Sequence, residues 1–197
     1  PVERRKYRFR FLNGCNARHM ELRLSTEERF LGIGSDTHMH DEAFERETLL
    51  MVPGKRADVV IDFSDAPSEL YLENILVQED GRGPKGKLFD RETEIPGTQI
   101  LKFEVQDGPR ASDNATIRVG TPLRPFIPMN PDEVVATRVF EFHRSKGAWQ
   151  INQQFFDENF ANAIPKLGTT ERWILKNGGG GWWHPIHVHL ESHQLVK

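Results

Sequence analysis

The feature that most limits the fold is a side-chain period of two. Tyr7, Phe9 and Phe11 alternate with Arg8 and Arg10, and Met20, Leu22 and Leu24 alternate with Glu21 and Arg23. Successive side chains of a strand point to opposite faces, so this alternation predicts half-buried strands. Asn13-Gly14 and Pro53-Gly54 punctuate the runs as turns. Further strands are expected over residues 48–52, 57–63, 70–77 and 100–105, then over 138–143, 149–152 and 171–176. Short strands at this spacing predict an all-β chain built as an antiparallel sandwich or barrel. Residues 154–163 read as a short irregular or helical segment.

The punctuation also divides the chain. Residues 78–98 are rich in glycine, proline and charge and read as a long surface loop. Residues 107–134 hold five prolines and little alternation, which reads as a linker between a first domain, 1–106, and a second, 135–197. The chain opens at Pro1 without an initiator methionine, and residues 194–197 end inside an apparent strand. Both ends read as cut, so both domains are expected to be incomplete. No apolar run approaches the length of a membrane span. The net charge is −3 with both signs interspersed. The densest basic stretch, residues 4–8, reads as the solvated face of a strand rather than a nucleic-acid footprint. Neither nucleic acid nor a membrane is expected as a partner. The single cysteine, Cys15, excludes an intrachain disulfide and reads as a small, half-buried side chain.

Three of the eight histidines, His184, His187 and His189, fall within six residues, directly after a four-glycine run at 178–181. Neutral imidazole is the commonest side-chain metal ligand and suits copper, zinc, iron and nickel. On a strand, residues two apart lie about 6.5–7 Å from each other and face the same way. His187 and His189 are therefore expected to project together. His184 has the opposite parity, precedes Pro185, and is expected to point toward a different site. One strand would thus serve two metal centres. His193 shares the parity of the pair but is expected to be exposed. His38 and His40 form a second His-x-His, expected in an exposed polar loop without metal. His19 and His143 are read as single strand histidines with no assigned chemistry.

Spacing alone does not name the metal. A cupin follows His-x-His with a glutamate three or four residues on, whereas Glu191 comes two after His189. An amidohydrolase carries its pair on an α/β barrel. An α-type carbonic anhydrase needs a third histidine farther along.

The order of motifs resembles the multicopper oxidases. RKYRFRFLNG at 5–14, FLGIGSD at 30–36 and PGKRADVVIDF at 53–63 resemble their second domain. WQIN at 149–152 with FFD at 155–157, IPKLGTTERW at 164–173 and HPIHVHL at 184–190 resemble their third. Leu190 stands where plant and fungal laccases usually have glycine, so the likeness is to the bilirubin oxidase, spore-coat laccase and phenoxazinone synthase branch. His193 departs from the family, which commonly has an aromatic there.

The resemblance implies cupredoxin-like Greek-key β-sandwich domains, the C-terminal part of a second and the N-terminal part of a third. It implies copper, four ions per complete enzyme. His184 would ligate the type 1 copper, His187 the type 2 copper and His189 a type 3 copper. The type 1 site also needs a cysteine thiolate, a second histidine and a weak axial ligand. The family's His-Cys-His segment is expected beyond residue 197, and its first-domain His-x-His pairs are expected on other segments. Cys15 lies in a second-domain turn and would not substitute. The implied activity is one-electron oxidation of small phenolic, pyrrolic or aromatic amine substrates with reduction of O2 to water. The chain alone would be inactive, acting only with complementing segments. A manganese or cuprous oxidase is an alternative, the cuprous one disfavoured by only four scattered methionines. The substrate-binding residues stay open, although the loop at 178–181 would border the type 1 site. By resemblance the protein would be secreted, periplasmic or on a spore coat.

Overall fold

The computed structural model describes residues 1–26, 28–36, 38–112, 115–189 and 193–196. It divides into two compact units, Pro1–Phe126 and Ile127–Lys197. No helix among the described residues is long and apolar enough to cross a membrane.

The first unit contains strands β1 (Lys6–Leu12), β2 (Met20–Leu24), β3 (Phe30–Ser35), β4 (His38–Arg46), β5 (Leu49–Met51), β6 (Arg56–Asp62), β7 (Glu69–Leu76), β8 (Gly86–Lys87), β9 (Asp90–Arg91) and β10 (Thr93–Glu104). One four-stranded sheet runs β1-β6-β3-β4 and the other β10-β7-β2-β5, and every ladder between these strands is antiparallel. The core draws from both sheets, which makes the unit a sandwich. Leu22, Leu24, Leu49, Met51, Leu70, Leu72 and Phe103 from one sheet meet Phe30, Ala57, Val59 and Ile61 from the other. The alternating aromatics of β1 turn inward. Phe63 sits at their centre, fully buried, with Tyr7, Phe9 and Phe103 rings 5.8, 6.2 and 5.1 Å away, centroid to centroid. Tilted and edge-on ring pairs of this kind contribute beyond the area they bury.

Strand β6 explains why residues 57–63 read as an apolar run rather than a clean alternation. Val59 and Ile61 face the main core, while Val60 faces a second cluster with Ile33 and Ala43. Ile117 and Leu123 pack against that second cluster. The proline-rich stretch 107–134 is thus shared between the units. Its residues 120–123 run along the edge of β4, where Ala43 N–H donates to Thr121 O (2.9 Å) and Leu123 N–H to Asp41 O (2.8 Å). Covering an edge strand in this way removes a row of unpaired backbone groups.

Two local expectations change. The surface loop expected over 78–98 contains the β8–β9 hairpin and the start of β10. Bulges between Thr93 and Thr98 and between Gln99 and Leu101 break the alternation that would have marked that strand. The hairpin is fixed by a buried carboxylate: Glu21 of β2 accepts from Arg91 Nε (2.5 Å) and from Thr48 Oγ1 (2.8 Å). A buried charge requires such partners. His38 and His40 lie not in a loop but in β4, whose ladder to β3 shifts register near Gly34, masking the period of two. Among the described residues they join no metal-holding cluster. His19 sits one residue before β2, buried.

The second unit opens with a 3-10 turn (Pro131–Glu133) capped by Asn130, whose side chain accepts from Asp132 N–H. Strands β11 (Val134–Ser145), β12 (Ala148–Ile151) and β13 (Thr170–Asn177) follow. The sheet order is β12-β11-β13, with β11–β12 antiparallel and β11–β13 parallel. The β11–β12 hairpin turns on Lys146-Gly147, both at positive φ (50° and 82°), the two-residue turn whose twist matches paired strands. Residues 154–163 form no helix. Arg138 of β11 clamps Glu171 of β13 through two bonds, Nε at 2.7 Å and Nη2 at 2.9 Å.

Candidate metal centre

Strand β13 ends at Asn177, and the histidine motif follows across a glycine loop. Gly178 N–H donates to Phe142 O of β11 (2.7 Å), which ties the loop's start to the sheet. The side chain of Asn177 then bridges the loop. Its Oδ1 accepts from Gly179 N–H (3.0 Å) and its Nδ2 donates to Trp182 O (2.7 Å). Gly180 and Gly181, at φ of +62° and +92°, complete the reversal.

The loop returns the chain so that His184 lands against the β11–β12 hairpin. Its ring lies 4.7 Å from Trp149, edge-on at 85°, and 6.1 Å from Phe142. Trp182 closes on Trp149 at 5.0 Å. The Arg144 guanidinium sits 5.7 Å from the Trp149 ring and 5.6 Å from the Trp182 ring. His184 Nε2 is buried with no hydrogen-bond partner among the described residues. It rests against the bare Cα of Gly179, where an added Cβ would come within 2.5 Å of it. Burial pushes the His184 pKa down, which favours the neutral ring.

His187 and His189 lie elsewhere. Both are exposed, and their rings stand beside each other at 4.9 Å and 87°. The described residues therefore bring two of the three predicted ligands together and turn the third into a separate aromatic pocket. The segment is not a strand, however. Residues 182–188 carry no ladder, because among the described residues no strand pairs with them, and a strand exists only by pairing. His193 is exposed, and Leu190 and Glu191 lie outside the described residues. Cys15 is a free, half-buried thiol in the first unit, its N–H donating to Asn13 Oδ1 (3.0 Å).

Among the described residues no three metal-ligating groups meet, so these residues offer one single and one paired donor rather than a complete metal site. A neutral imidazole is the donor type that copper or zinc takes, and a pair of adjacent imidazoles offers the same chemistry. A metal-ligating ring needs its orientation fixed by its surroundings, and His184 has that from Trp149, Phe142 and Gly179.

The sequence model of the multicopper oxidase family matches residues 128–197. The whole chain is similar to proteins of that family. Over its whole length it is 32% identical to a bilirubin oxidase from Albifimbria verrucaria, covering 34% of that protein. It is 30% identical over 99% of its length to a laccase from Bacillus stratosphericus, covering 37% of it. The chain thus spans about a third of the length of these relatives. Among solved structures, a laccase-like multi-copper oxidase from an Ochrobactrum species matches 89% of the chain, and 39% of its own length, with a TM-score of 0.68 at 23% identity. Both units are therefore portions of the cupredoxin-like architecture.

The sequence pointed to the three histidines but not to what surrounds His184. Trp149, Trp182, Phe142 and Arg144 are far apart or unremarkable in sequence. The signals were the WQIN motif at 149–152, the glycine run expected to border the site, and Asn177-Gly178, a turn pair directly after a predicted strand.

Proposed function

We propose that this chain contributes one ligand, His184, to the type 1 copper of an oxidase, and His187 and His189 to the type 2 copper and a type 3 copper. On this reading residues 1–106 are the C-terminal part of a second domain, 107–134 the interdomain segment and 135–197 the N-terminal part of a third. The observation that carries the reading is the division of the motif: one half-buried ring facing an aromatic pocket, and two exposed rings side by side. Electron entry and oxygen reduction on separate centres require such a division.

When bound, copper supplies one-electron chemistry, taking single electrons from the donor and delivering them to reduce O2 to water. The chain's own residues do the rest. His184 offers a neutral ring, held so by burial. Trp149 and Trp182 shield it from water on one side. Trp149 is 46% exposed and offers a flat apolar face beside His184 on which a small aromatic donor can stack. This supports phenolic, pyrrolic or aromatic amine substrates. The thiolate of the type 1 site and the remaining cluster ligands come from complementing segments, because the one cysteine here, Cys15, stands in the turn after β1. A protein of this kind works outside the cytoplasm.

The test is to load the full-length protein with copper and measure metal content, visible absorption and O2 uptake with a neutral phenol. Four bound ions, an intense blue thiolate band and phenol-dependent O2 uptake are expected. A colourless protein after full loading would overturn the reading.

A further inference from the structure

We infer that Asn177 is a positioning residue for His184, acting through the glycine loop; the inference rests on the assignment of His184 as a ligand. Three observations carry it. First, Asn177 is the last residue of β13, so its backbone is fixed by the parallel ladder in which Phe142 partners Asn177. Second, its side-chain amide bonds to both limbs of the loop, to Gly179 N–H and to Trp182 O. A side chain that both accepts and donates across five residues selects one loop shape, and no apolar or purely acidic side chain reproduces it. Third, that loop shape brings two groups against His184. The Gly179 Cα lies where a methyl group could not fit, and Trp182 packs on the Trp149 ring that meets His184 edge-on.

Each link is short and rigid. The Gly179 N–H is one bond from the Cα that touches Nε2, and Trp182 is two residues before His184. Loss of the Asn177 amide frees a loop of four glycines, the residue with the largest backbone entropy. The loop then spreads over many shapes, and the ring loses the wall that fixes its tilt. Two of the ring's contacts, with Phe142 and Trp149, survive because they come from β11 and β12. The ring should therefore stay in its pocket but rotate.

The test compares Asn177→Ala and Asn177→Asp with the parent in the full-length protein, in two states. In the copper-depleted protein, crystal structures report the His184 ring directly. Asn177→Ala should displace Gly179 from Nε2 and rotate the ring. Asn177→Asp keeps the acceptor for Gly179 N–H but loses the donor to Trp182 O, and should shift Trp182 while leaving Gly179 nearer its place. In the copper-loaded protein, the blue band and the copper hyperfine splitting of the type 1 signal should change in Asn177→Ala at unchanged copper content, with a smaller change in Asn177→Asp. An unmoved ring in copper-depleted Asn177→Ala overturns the inference, whatever the colour. A moved ring in a parent that never turns blue upholds the positioning role and instead defeats the assignment of His184 to the type 1 site.

Discussion

Replacing Gly179 with alanine is the sharpest test of how closely the loop is fitted to His184. The new Cβ would lie 2.5 Å from His184 Nε2 and 3.1 Å from Asn177 Oδ1, and ordinary contact begins at 3.4 Å. The ring must therefore withdraw by about 1 Å to restore ordinary contact with the new Cβ. It cannot swing away freely, because Trp149 stands 4.7 Å off on one side and Phe142 6.1 Å off on another. Overpacking of this kind costs about 1–3 kcal/mol. Gly14→Ala makes the internal comparison. Nothing lies within 4 Å of a Cβ there and its φ is not positive, so the same substitution is expected to stabilise by about 0.4–1 kcal/mol through the unfolded state. Urea denaturation of the two variants beside the parent measures both. Opposite signs are expected, with Gly179→Ala lowering the midpoint. If Gly179→Ala matched the parent in stability and left the His184 environment unchanged, the close fit of loop to ring would be refuted.

Two further outcomes follow from packing and charge. Phe63→Ala removes a fully buried ring from the aromatic centre of the first unit and should cost about 3–5 kcal/mol, whereas Phe89→Ala, at a position 94% exposed, should change stability by less than about 0.5 kcal/mol; denaturant midpoints check both. Bonding to Arg138 first, and to Trp173 Nε1–H second, lowers the Glu171 pKa from 4.5 to about 2. A carboxylate depressed in the folded state stabilises above its unfolded pKa and loses that contribution as pH falls through the folded one. Acid titration should therefore show a loss of stability between pH 4.5 and about 2, smaller in Glu171→Gln, and an identical acid profile would contradict the pairing.

How much of this was legible in sequence depends on which interaction set each element. Strands with one buried face, such as β1 and β2, were readable because alternation is the direct imprint of a half-buried strand. Strands β3 and β4 were not. Glycines at 32 and 34 remove side chains from the pattern, and a register shift in the ladder breaks its period. Residues 120–123, inside the proline-rich stretch 107–134, resembled a linker because edge-covering backbone bonds leave no composition signal. At the candidate centre, the division of the motif comes from the glycine loop and not from the expected strand parity, since residues 182–188 form no strand, but the ligand-type side chains themselves were visible. The pocket around His184 was not, because Trp149 and Phe142 reach it through the β11–β12 hairpin, some forty residues earlier in the chain.

The central claim is that His184 serves one copper centre while His187 and His189 serve another. Electron paramagnetic resonance of the copper-loaded full-length protein, recorded for His184→Ala and His187→Ala, tests it most directly. The account predicts that His184→Ala removes the narrow type 1 signal and the blue colour while the type 2 signal persists, and that His187→Ala does the reverse. Loss of both signals together in His184→Ala, or a type 2 signal untouched by His187→Ala, would contradict it.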